Sequence, residues 1–230
     1  MAFGRRRVEE PPMETMGWAD VQTFVVSSVE RPATVKRKRA VWGKPAVRVA
    51  RGARDLRILA PCAFLGTADT QQPGLPSRPD HTLYEAESRG LLCYVEPAVD
   101  SAGELRHVVR DGRGECIGTV VRVPRKRRPF KHTWRIEQPG HPEIVGRNEW
   151  ASGDAKEIAG RFAGKVFEEV VDSVLSGGVE GGDRPSKPRS LEWRAENKVV
   201  MVSEGSDKVT VRDGWVDRRL AFAFALLGDR

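Results

Sequence analysis

Six basic side chains fall within ten residues of this chain: Arg122, Arg125, Lys126, Arg127, Arg128 and Lys131, in the run RVPRKRRPFK. Pro124 and Pro129 keep the centre of the run out of a strand interior, because proline has no amide proton to give a sheet. A loop of this composition suits anionic phosphates, with Phe130 at the interface. Near an anionic leaflet each Lys or Arg contributes about 1 kcal/mol, so six give at most about 6 kcal/mol, a reversible and salt-sensitive association. The competing reading is a solvated loop between two hairpins. Nucleic acid is a weaker candidate, since a strand-binding groove interleaves stacking aromatics and only Phe130 is present here. Two further basic runs, Lys36-Arg37-Lys38-Arg39 and Arg5-Arg6-Arg7, are expected in a disordered tail that would support polyanion binding as the alternative function.

Other chemistry is sparse. Asp111-Gly112-Arg113-Gly114-Glu115 superficially suggests a calcium loop, but Arg113 occupies a ligand position, so a hairpin turn is expected. The histidines at 81, 107, 132 and 141 have no metal-ligand spacing. The three cysteines, Cys62, Cys93 and Cys116, include no C-x-x-C pair and leave one thiol over, which fits a reducing compartment. Cys93 and Cys116 stand in apolar strand contexts and read as small core residues. No nucleophile elbow, phosphate loop or dinucleotide fingerprint occurs. The expectation is a protein that is not an enzyme, with no catalytic residue, metal or cofactor.

The 230 residues carry a net charge of +7 and 39% hydrophobic side chains, within the globular range once glycine is added. The charge is uneven. Residues 1–80 hold 14 basic and 8 acidic side chains, a net of +6; residues 81–230 hold 25 and 24, a net of +1. Val8-Glu9-Glu10-Pro11-Pro12 stands where a leader would need an apolar stretch. The longest apolar run, Leu220–Leu227, is eight residues, against about 20 for a spanning helix. A cytoplasmic protein, peripheral at most to a membrane, is expected.

From residue 81 onward the pattern is of antiparallel strands and short turns. His107–Arg110 and Glu115–Val123 flank the Asp111–Gly114 turn, Thr133–Gln138 and Glu143–Arg147 flank Pro139-Gly140-His141-Pro142, and Leu191–Ala195, Lys198–Ser203 and Lys208–Val211 form a meander. A decorating amphipathic helix is expected over 154–176, with Ile158, Phe162, Val166, Val170 and Val174 four apart, followed by a loop over 177–190. Trp134, Trp150, Trp193 and Trp215 are expected in the barrel core, with Trp215 packing at the entrance of the terminal helix. Residues 1–80 give only isolated strand-like patches at Thr23–Val29, Ala46–Val49 and Leu56–Leu59, without evident partners. They are expected to be a basic extension, poorly ordered or loosely attached to an 81–230 domain.

The terminal helix constrains the fold most. Asp217 is a good N-cap, and Leu220-Ala221-Phe222-Ala223-Phe224-Ala225-Leu226-Leu227 is apolar in every direction around the axis. Such a helix must be enclosed on all sides. One sheet face can reach only one side of it. A mainly β fold follows: an antiparallel barrel wrapped around Leu220, Phe222, Phe224 and Leu226.

The start Asp217-Arg218-Arg219-Leu220-Ala221 and the hairpin Asp111-Gly112-Arg113-Gly114-Glu115-Cys116-Ile117-Gly118, with a weaker copy in Glu143-Ile144-Val145-Gly146, resemble the tubby C-terminal-like superfamily, in its phospholipid scramblase and LURP-one-related branch. The resemblance covers residues 83–230. It implies a barrel of about a dozen strands, whereas eight are clear in 83–230; weakly patterned strands such as Thr82–Glu87, strands from residues 18–60, or an incomplete barrel would account for the difference. It also implies phosphoinositide-like head groups, an anionic membrane surface or a scaffolding role for partners. The acidic calcium segment proposed for scramblases has no convincing match here.

Overall fold

Asp217 opens the terminal helix as expected, its carboxylate accepting the Arg219 amide at 2.8 Å. Helix α1, Arg218–Leu227, is 10 residues long, about 15 Å. The computed structural model describes residues 13–66, 79–123, 132–148 and 190–228. Around α1 run thirteen strands: β1 (Thr23–Arg31), β2 (Val41–Arg51), β3 (Ile58–Leu65), β4 (His81–Glu85), β5 (Leu91–Val95), β6 (Val99–Ser101), β7 (Glu104–Asp111), β8 (Cys116–Arg122), β9 (His132–Glu137), β10 (Ile144–Asn148), β11 (Ser190–Ala195), β12 (Lys198–Glu204) and β13 (Lys208–Val211).

Every pairing is antiparallel. Two pairings that skip along the chain close the ring: β1 with β13 (Thr23 opposite Thr210) and β5 with β7 (Cys93 opposite Asp111). Twelve strands therefore form a closed barrel, and β6 pairs only with β7. Closure leaves the ring no free edge.

The barrel interior is filled by α1. Leu220, Phe222, Phe224 and Leu226 are at most 4% exposed, and the alanines between them are wholly buried. They meet different walls. The Phe222 ring packs edge-on to Phe24 of β1 at 4.8 Å, whereas Phe224 packs edge-on to Trp134 of β9 at 5.5 Å and Trp193 of β11 at 4.5 Å. The Trp193 indole N–H is satisfied by Ser203 Oγ at 3.1 Å. Trp215 is half-buried at the start of the helix and stacks on His141 at 4.6 Å. The Gln138 side-chain amide donates to Trp215 O at 2.8 Å, and its carbonyl accepts the Asp217 amide at 2.9 Å. The β9–β10 turn thus holds the helix start at one end of the barrel. Gly228 lies against Ser206 of the β12–β13 turn at the other.

The boundary expected at residue 80 is not where the domain begins. β1, β2 and β3 come from the expected extension and make up a quarter of the ring. Two buried arginines fix this stretch, one to the rest of the barrel and one within itself. Arg218 Nε donates to Val21 O at 2.7 Å across 197 positions of chain. Arg48 lies fully buried and donates to Ser27 O at 2.9 Å, Leu59 O at 2.9 Å and Lys44 O at 2.7 Å, joining β1, β2 and β3. Carbonyl acceptors are what a buried guanidinium requires, and removing either partner leaves an orphan. The expected helix over 154–176, the loop over 177–190 and Trp150 lie outside the described residues.

A chain of residues 81–230 should therefore not fold alone, because loss of β1–β3 opens the barrel and exposes Phe222 to water. Circular dichroism and urea titration of that fragment are expected to show no cooperative transition; a cooperative monomer would refute the closed-ring account.

Candidate functional site

The basic run emerges between β8 and β9. The strands alternate in direction around a closed ring, so β8 ends and β9 begins at the same end of the barrel as the β12–β13 turn, where α1 finishes. Only Arg122 of the six expected anion-binding residues is described. It is exposed at the end of β8, with its guanidinium 5.7 Å over the buried Trp134 ring, within cation–π range. Arg125, Lys126, Arg127, Arg128 and Lys131 lie outside the described residues.

The hairpin motif performs a packing role. Asp111 Oδ1 accepts the Arg113 and Glu115 amides, both at 2.9 Å, which closes the turn from within. Burial pushes the Asp111 carboxyl up, but these two backbone donors together with the Arg219 and Arg113 charges outweigh it and hold the group below its ordinary range. At the far end of the motif, a Cβ on Gly118 would stand 2.5 Å from Glu137 O and 2.9 Å from Leu220 Cδ1. Gly146, which ends the weaker copy, faces Trp193, whose ring a Cβ would meet at 3.2 Å. Each motif ends on the glycine that lets core side chains approach the wall.

At the helix-start end an open cleft of about 460 Å³ is lined by Trp18, Glu85, Leu91, Asp111, Arg113 and Arg219. Arg219 forks onto its own N-cap, Asp217, at 3.1 and 2.7 Å, and lies 5.4 Å over the Trp18 ring. The Trp18 indole and Ser88 hydroxyl both donate to Glu85, which lowers its carboxyl. Arg219, Glu85 and Asp111 are thus engaged within the protein, and the cleft reads as the closure of one barrel end. His107 is buried on the same face of β7 as the core residue Val109, with its Nδ1 3.7 Å from Asp80 Oδ2. Burial outweighs that carboxylate and pushes the imidazole below its usual range.

Among the described residues from 81 onward, Arg135, Arg106 and Arg110 on the outer wall are matched by acids. Arg135 contacts Glu104 at 2.7 Å and Glu143 at 3.1 Å, Arg106 pairs with Glu137, and Arg110 meets Glu96 at 2.6 Å. The hairpin between β1 and β2 differs. Lys38 and Arg39 are exposed, and Lys36, also exposed, lies 3.4 Å from Asp55. This run was expected in a tail, but it belongs to an ordered hairpin. Local composition gave the signal, four cations in a row, while the strand pairing that orders it was not visible locally.

Cys62 and Cys93 are buried, and desolvation raises both thiols to about 12. Cys116 was expected in the core but is exposed, because it begins β8 beside the turn rather than inside the ring. Among the described residues no three or more His, Cys, Asp or Glu side chains gather as a metal site, and no helix is long and apolar enough to cross a membrane. No family model, curated protein or solved structure matches this chain. The fold itself defines the class: a mainly β protein, a closed antiparallel barrel filled by its own terminal helix.

Two outcomes follow from this geometry. Gly118→Val should lower stability by about 3 kcal/mol in urea, since the Glu137 backbone cannot yield to the new side chain; an unchanged midpoint would contradict the packing role. In thiol titration with a disulfide reagent, one thiol should react quickly in the native protein and three after unfolding. Three fast thiols would contradict the burial of Cys62 and Cys93.

Proposed function

We propose that this chain is a non-enzymatic barrel protein of the tubby-like kind, in the scramblase and LURP-one-related branch, which associates reversibly with anionic lipid head groups through Arg122, Arg125, Lys126, Arg127, Arg128 and Lys131. The observation that carries the family reading is the closed ring of twelve strands around a helix starting Asp217-Arg218-Arg219-Leu220-Ala221. The hairpin motifs support it, since both end on a glycine facing the core. The basic run supports the lipid half, because it puts six cations in ten residues and its one described member, Arg122, is exposed at the end of β8. The protein works as a peripheral cytoplasmic binder, held by charge and released by salt.

Co-sedimentation with phosphatidylserine-containing vesicles tests the reading. Binding is expected at low salt, to fall at high salt, and to weaken at least about tenfold when Arg125, Arg127 and Arg128 are replaced by Gln, the loss of three contacts of about 1 kcal/mol each. Binding indifferent to both anionic lipid and the replacements would refute it.

A further inference from the structure

Residues 34–57 carry nine Lys or Arg and one Asp, a net of +8 that exceeds the +7 of the whole chain. The structure folds this stretch back on itself. Pairing between β1 and β2 slips from Ser27 opposite Ala46 to Val29 opposite Trp42, and the hairpin bends there. Its tip lies against the 3-10 turn Arg54–Leu56 before β3. Thr34 Oγ1 donates to Asp55 O at 2.9 Å, and Arg37 donates to Arg57 O at 3.0 Å. Two turns distant in sequence thereby become one ordered surface.

Apart from the half-buried Arg37, the cations on it divide in two. Arg48 and Arg57 are buried, whereas Lys36, Lys38, Arg39, Lys44, Arg51 and Arg54 are exposed. Among them stand large apolar side chains in water. Val35 is 74% exposed at the tip and Leu56 is 59% exposed on the adjoining turn, and Trp42 follows at 67%. These are three of the four large hydrophobic side chains exposed among the described residues. Apolar side chains ringed by cations match the two layers of an anionic bilayer surface, where the cations stay with phosphate and the apolar tips enter the acyl boundary. A nucleic-acid strand is the poorer match, because Val35 and Leu56 offer no flat ring for a base to stack on.

We propose that the joined turns 34–37 and 54–56 are a membrane-docking face, in which Val35 and Leu56 insert into the head-group layer of an anionic bilayer and Lys36, Lys38 and Arg39 hold its phosphates. The face is formed wholly by β1, β2, β3 and their turns, so it does not rest on the reading of Arg122–Lys131.

The test uses the full chain and three variants against phosphatidylcholine vesicles with and without phosphatidylserine. The first variant carries Val35→Ser and Leu56→Ser; the second carries Lys36→Gln, Lys38→Gln and Arg39→Gln; the third carries Arg125→Gln, Arg127→Gln and Arg128→Gln. All substituted side chains on the docking face are exposed, and an unchanged urea midpoint establishes that the first two variants remain folded. Each of these two is expected to bind phosphatidylserine vesicles at least about tenfold more weakly than the parent, and the second should also show a shallower salt dependence than the first. Weakening in them alone upholds this face and removes the role of Arg122–Lys131. Weakening in the third variant alone overturns this face and leaves the other reading standing. Weakening in all three upholds both faces. No vesicle binding by the parent chain, with or without binding to a nucleic-acid oligomer, overturns the proposal.

Discussion

The structure depends on one constraint: a ten-residue helix with apolar side chains in every direction has to be taken out of water on every side. At roughly 25 cal/mol per Å² of apolar surface, leaving one flank of such a helix wet would forfeit several kcal/mol, a large part of a typical domain's net stability. A flat sheet cannot cover it. A ring can, and twelve strands with their inward side chains leave a channel that Leu220, Phe222, Phe224 and Leu226 fill. The alternating alanines and the inward glycines at 118 and 146 are the other half of the fit, since they make room where the larger side chains need it.

This constraint was legible in the sequence because it needs no partner information: the eight apolar residues announce enclosure by themselves. The hairpins from residue 104 onward were legible for a similar reason, since each strand's partner follows it across a short turn. The first three strands were not. β1 finds one of its partners in β13, almost at the other end of the chain, so no local turn signals the pairing. Their alternation is also interrupted, with Arg48 buried where an apolar residue is expected and Pro45 and Pro61 within strands. A buried arginine looks like surface until the carbonyls around it are known. The eight-strand count over 83–230 left a shortfall against a full barrel, and residues 23–65 supply much of it.

The charge distribution changes meaning accordingly. The +6 of residues 1–80 first suggested a tail, yet most of it sits on an ordered hairpin and turn that are built into the barrel wall. Elsewhere among the described residues several cations sit beside acids, as Arg135 does between Glu104 and Glu143. These part-buried pairs offset one another's charge on the described wall. Of the candidate binding residues, the composition of 122–131 was readable at once. The hairpin face was not, because its apolar members Val35 and Leu56 are brought together only by the fold.

Native-state hydrogen exchange measures the central claim most directly. If α1 is enclosed by a ring that includes the N-terminal strands, the amides of Phe222–Leu226 and those of Phe24–Val26 and Val47 should share the slowest exchange class and the same dependence on denaturant, opening only with global unfolding. Exchange of β1–β3 through a separate, low-energy opening while the helix stays protected would show that the barrel does not need them, and would contradict the account.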